Sequence, residues 1–166
     1  AELKKVVLSR PQLLGSHIEA NILPMLAALQ ERLGFSEAEL KKVVLWRPAI
    51  LGISTEANML PSLAALQERL ELSEAELKQV VLRFPGVLCY SIESNVSPTL
   101  AALQERLGLS QVELKKVVLR RPAVLGYTLK SILPSIAALQ ERLELSEAEL
   151  KQVVLRHPTV LGYSTE

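Results

Sequence analysis

Apolar residues recur along this chain at the i, i+3, i+4 spacing that turns one face of an α-helix inward. Leu40, Val43 and Val44 form one such set, and Leu63, Leu66 and Leu70 form another. Both sets repeat. Glu-Leu-Lys-(Lys/Gln)-Val-Val-Leu occurs five times, with its first leucine at Leu3, Leu40, Leu77, Leu114 and Leu150, in steps of 37, 37, 37 and 36. Leu/Ile-Ala-Ala-Leu-Gln-Glu-Arg-Leu occurs four times, beginning at Leu26, Leu63, Leu100 and Ile136. The first segment is termed helix A and the second helix B.

The punctuation between them fixes the boundaries. Ser36 stands three before Glu39, and Ser73, Ser110 and Ser146 stand three before Glu76, Glu113 and Glu149. This is a capping box, in which each side chain takes a free backbone N–H of the first helical turn. Pro48, Pro85, Pro122 and Pro158 close the A helices, because the residue before a proline avoids the α region. Helix B ends at Gly34, at Gly108 or at a Glu in the same position. Pro61 fits the first turn of helix B. A helix beginning earlier, at Ser54, would be kinked by that proline. Between A and B, Pro-x-x-Leu-Gly is too short for an α-helix and suits one 3₁₀ turn. The shortened step falls between Gly126 and Pro134, which marks that stretch as a joint rather than a helix centre.

One such unit cannot bury both of its apolar faces, and stacked neighbours can. The expected fold is all-α: an α-solenoid of about 4.5 repeats of period 37. The expected units are 1–35, 36–72, 73–109, 110–145 and 146–166, forming a single array with the first and last incomplete. The chain opens inside a helix A and stops before a helix B, and neither end reads as a polar capping repeat. That implies a piece of a longer array, or ends that associate with one another.

Composition narrows the chemistry. All eighteen acids are Glu, the chain has one cysteine (Cys89), and His17 and His157 lie far apart. No metal site, cofactor or catalytic set is expected: there is no Gly-rich phosphate loop, and the glutamates recur in every repeat as scaffold positions do. No apolar run approaches the ~18–20 residues of a membrane span, and no targeting peptide is visible. The net charge is only +1, but it is sorted. The A helices with their exits sum to +6, and the B helices with their joints sum to −5.

Four signals in order are more specific than the period. They are Pro-x-x-Leu-Gly, as in Arg47-Pro-Ala-Ile-Leu-Gly52, then Ser91-Ile-Glu-Ser-Asn95, then Pro98, then Leu107-Gly-Leu-Ser110. Together they resemble the repeat of the mitochondrial transcription termination factor (mTERF) family, and the resemblance covers the whole chain. It implies repeats of two α-helices and one 3₁₀ turn in a left-handed superhelix with a basic groove. It also implies binding to double-stranded DNA or RNA, in mitochondrial or chloroplast gene expression. Two features differ from the family pattern: the copies are unusually alike, and the chain is nearly neutral.

Stacking would align equivalent residues into columns. The candidate phosphate-binding residues are therefore the basic side chains of helix A and its exit: Lys5, Arg10, Lys41, Lys42, Arg47, Arg83, Lys115, Lys116, Arg120, Arg121 and Arg156. Basic residues at a helix C-terminus also suit the helix dipole with no ligand present. The competing reading is a structural or protein-binding scaffold, consensus-designed or natural, without a nucleic-acid role. Variation among copies concentrates where helix A gives way to helix B. The Trp46 column reads Ser9, Trp46, Arg83, Arg120 and Arg156, which places Trp46 at the surface. The column after the glycine reads Ser16, Ile53, Tyr90, Tyr127 and Tyr163, and Ile53 there argues that this column packs inward.

Overall fold

The computed structural model describes residues 22–162, and no strand occurs among them. Lys5 and Arg10 lie outside the described residues. The B helices are α1 (Leu23–Leu33), α3 (Leu60–Leu70), α5 (Ser97–Leu107) and α7 (Leu129–Arg142). The A helices are α2 (Glu37–Trp46), α4 (Glu74–Arg83), α6 (Gln111–Arg120) and α8 (Glu147–Arg156). The fold is an all-α array of helical repeats.

Each A helix begins as the sequence requires. In α2, the Glu39 backbone N–H donates to Ser36 Oγ at 3.3 Å, and the Ser36 N–H donates to Glu39 Oε2 at 2.8 Å. The same reciprocal pair opens α4, α6 and α8. Each A helix ends on an extended residue before proline, such as Arg47 (φ −135°, ψ 78°). The proline then starts a 3₁₀ turn: Pro48–Gly52, Pro85–Cys89, Pro122–Gly126 and Pro158–Gly162. Cys89 fills a glycine column because the Cβ direction at the equivalent Gly52 points into open space.

The start of helix B differs from the simplest expectation. The chain turns helical at Ser54 and Ser91, well before the prolines, but the opening turn is a π turn. It spans Thr55–Met59 in one copy and Ile92–Val96 in the next. The Met59 N–H reaches back five residues to the Ser54 carbonyl at 3.0 Å, and Val96 reaches Ser91 at 3.2 Å. Pro61 and Pro98 follow these π turns as the second residues of the α-helices Leu60–Leu70 and Ser97–Leu107, where a missing donor costs little. The fourth copy is one residue shorter, and there α7 runs as α-helix from Leu129 with Pro134 inside it. The missing residue is the extra residue of the π turn. The deletion therefore falls in the first turns of a helix rather than in a connection.

The B helices close on a left-handed residue: Gly34 (φ 60°) and Gly108 (φ 59°), with Glu71 (φ 51°) and Glu144 (φ 50°) in the other copies. The core is aliphatic. Leu63, Leu66, Leu70, Leu77, Val80 and Val81 are each at most 1% exposed, so both apolar faces read from the sequence are buried. Leu40 is only half-buried, whereas the equivalent Leu77, Leu114 and Leu150 are fully buried.

The chain packs as two compact units. The first runs to Gln67 and includes Ser73–Cys89; the second holds Glu68–Leu72 and the chain from Tyr90 onward. In the first, α1 and α2 both pack on α4, and the turn at 48–52 packs on the turn at 85–89. In the second, α5 packs on α7 and α8, and α6 packs on α8.

Candidate nucleic-acid interface

The basic residues of the A helices divide into two sets by what their side chains touch. Lys41, Lys78, Lys115 and Lys151 occupy one column. Lys78 Nζ donates to the Gly34 carbonyl at 2.7 Å and pairs with Glu39 at 2.9 Å. It also lies 5.7 Å from the centroid of the Phe35 ring. Lys151 repeats the arrangement, 2.8 Å from the Gly108 carbonyl and 2.9 Å from Glu113. Lys115 donates to the Glu71 carbonyl at 2.7 Å. These lysines satisfy carbonyls at the C-terminal end of a preceding helix B, where the dipole favours a cation. The same contacts act on the acids. The backbone N–H of Ser36 holds the Glu39 carboxyl below its ordinary value, and Lys78 adds to this. Lys151 does the same for Glu113, with the Ser110 N–H second.

A second column ties the B helices. Arg32 of α1 donates to Glu74 and to Gln67. Arg69 donates to Gln104 and Gln111, each at 3.2 Å, and Arg106 donates to Gln140. The Gln67 amide, followed by Arg32, holds the Glu74 carboxyl below its ordinary value.

The residue one step along helix A behaves differently. Lys42 and Lys116 are exposed, as are Arg47 and Arg156, and these four side chains make no hydrogen bond or ion pair among the described residues. The remaining candidates fall between the two sets. Lys41 and Arg83 are exposed and each has a partner. Arg120 is exposed but donates to the Leu155 carbonyl at 2.7 Å, at the end of α8. Arg121 is half-buried, with Nε 3.5 Å from Tyr127 Oη. Tyr127 Oη in turn approaches the Gly162 backbone so closely that a Cβ there would lie 2.2 Å from it. That tyrosine is packed into the scaffold, in line with the inward reading of its column.

Trp46 is the contrary case, at 61% exposed. It ends α2 beside a shallow, open recess lined by Ala38, Lys41, Lys42 and Leu45. Among the described residues, no group of three or more His, Cys, Asp and Glu side chains could hold a metal ion. No described helix is long and apolar enough to cross a membrane.

The sequence marked the A-helix cations as a class but did not separate the two sets. A signal was present. The Lys41 column is lysine in all five copies, whereas the Lys42 column alternates between Lys42, Lys116 and Lys5 on one hand and Gln79 and Gln152 on the other. A position that never varies among copies is one the stacking uses.

No curated protein matches the chain. The mTERF family model matches it twice, over residues 1–71 and 62–166, which together span its whole length. The repeat order, the capping boxes, the 3₁₀ turns and the family match agree: the chain belongs to the mTERF family.

Proposed function

We propose that the chain binds nucleic acid through phosphate contacts made by the exposed cations of helix A and its exit, in organellar gene expression. Family membership supports nucleic-acid binding as the general activity. The observation that carries the residue assignment is the division of the cations. Lys42, Arg47, Lys116 and Arg156 reach solvent with no side-chain partner among the described residues, while Lys78, Lys115 and Lys151 of the neighbouring column donate to backbone carbonyls. A cation without an intramolecular partner is available to a phosphate, and one already satisfied by two oxygens is not. Lys41, Arg83, Arg120 and Arg121 form the periphery of this set, Lys115 belongs to the scaffold, and Lys5 and Arg10 extend the columns by sequence equivalence. The role assigned is transcriptional or post-transcriptional regulation without catalysis, in a mitochondrion or chloroplast.

Binding should be measured against duplex DNA and single-stranded RNA across a salt series. Each phosphate contact contributes about −0.9 to the log–log slope on duplex DNA and about −0.7 on a single strand. Lys42→Glu, Lys116→Glu and Arg156→Glu combined should flatten the slope and weaken binding to both. Absence of binding even at low salt would favour a structural or protein-binding scaffold.

A further inference from the structure

We propose that Trp46 is a stacking platform for an unpaired base, with Lys42 and Arg47 holding the flanking phosphates, so that the first unit takes single-stranded nucleic acid. The inference rests on the nucleic-acid reading above and names the substrate class for this part of the chain.

At the equivalent position of α6, Arg120 reaches the carbonyls of Leu155 and Arg156 at the end of the next A helix. A tryptophan cannot donate two or more bonds to such a helix end, and Trp46 is not folded inward in compensation. It is 61% exposed, and Leu45 beside it is 39% exposed. The substitution therefore removes a bond-forming cation and leaves a large aromatic face in water.

The surroundings select the occupant. Lys42 lies one helical turn before Trp46 on the same face, and Arg47 follows it directly. The recess beside the indole is lined by Ala38, Lys41, Lys42 and Leu45, with no carboxylate. Glu39, seven residues before Trp46 on the same helix, is occupied by Lys78 and the Ser36 N–H. An aromatic face beside Lys42 and Arg47, which have no side-chain partner among the described residues, matches a ligand that alternates flat apolar rings with negative charges, which is the description of a single strand. A duplex hides the faces of its bases in its own stack and offers only phosphates and groove edges. Base–aromatic stacking contributes about 1–3 kcal/mol per base and tolerates any base.

The chain has one tryptophan, so its emission reports on this site alone. Labelled decauridylate and a blunt twelve-base-pair DNA duplex should be titrated at low salt into the full chain. Anisotropy follows the oligomer and intrinsic fluorescence follows Trp46. Decauridylate should quench Trp46. W46A, which removes the ring and adds no charge, should weaken decauridylate binding about ten-fold, within the stacking range. W46F should weaken it less, and duplex binding should change less than either. Decauridylate that binds with Trp46 emission unchanged, or binds W46A as tightly, overturns the stacking assignment while leaving the phosphate contacts standing. Binding of the duplex alone does the same. Binding of neither oligomer overturns the nucleic-acid reading itself.

Discussion

Lys78 places its ammonium 2.7 Å from the carbonyl oxygen of Gly34, 44 residues earlier in the chain. The adjacent position in the same helix is Gln79, an exposed residue whose counterparts are Lys42 and Lys116. Two neighbouring positions on one helix, about 100° apart, thus have separate roles. One joins repeats and the other meets solvent.

The separation can be measured. Lys78→Met and Lys151→Met each remove a charge-assisted hydrogen bond to a carbonyl, from side chains 28% and 29% exposed. Each should lower stability by about 1 kcal/mol, below the full value for a charged hydrogen bond because water still reaches the group. Lys116→Met should change it by less than about 0.5 kcal/mol. Urea denaturation followed by circular dichroism distinguishes them, and equal losses would show that the two columns are not distinct.

The ends of the B helices carry a removable strain. Glu71 and Glu144 hold the left-handed conformation that Gly34 and Gly108 adopt freely. Such a backbone costs an ordinary residue about 1–2 kcal/mol, partly offset by the greater freedom glycine loses on folding. Glu71→Gly and Glu144→Gly should each stabilise the chain by about 0.5–1 kcal/mol. Gly34→Ala and Gly108→Ala should destabilise it, although neither Cβ would touch anything. Paired thermal melts test the sign of all four.

Acid should loosen the array at the same contacts. Glu39, Glu74, Glu113 and Glu149 have carboxyls held below the ordinary value of 4.5, by the Ser36 N–H, Gln67, Lys151 and Ser146 respectively as the leading causes. A depressed folded value means that the stabilisation is complete above the unfolded value and fades as pH falls through the folded one. Melting temperature should therefore be level from neutral pH down to about 5 and decline below the ordinary carboxylate range. Glu113→Gln should reduce the steepness of that decline. A variant profile parallel to that of the parent chain would remove Glu113 from the account.

The π turn predicts tolerance to a length change that helices ordinarily resist. Deleting Asn58 should convert the opening of α3 into the continuous α-helix seen in α7. Inserting one alanine after Ser131 should give α7 the turn present before α3 and α5. Each variant should fold with a loss below about 2 kcal/mol, the scale of an ordinary point substitution. Unfolding of either, seen as loss of helical circular dichroism, would show that the turn is fixed by its side chains rather than by chain length.

The repeat, the capping boxes, the 3₁₀ turns and the positions where the B helices end were legible in the sequence, because each rests on a local rule carried by a named residue. Ser36 with Glu39, Arg47 before Pro48, and Gly108 after Leu107 are examples. The π turn was not legible, since the helix start at Ser54 and the proline at Pro61 are each local signals, and whether the turn between them is π or α varies with one residue of chain length. The candidate site was legible as a class of residues and no further. Lys41 and Lys42 carry the same charge on the same helix, and which of them faces a neighbour depends on how the repeats stack.

The Gly34–Lys78 and Gly108–Lys151 bonds join residues 44 and 43 positions apart, a span longer than the 37-residue period. By the units read from the sequence, each such bond passes over one whole repeat and joins the two on either side of it. Within the unit that holds it, the module at either end of such a bond loses that tie when the other unfolds, so the two do not melt independently.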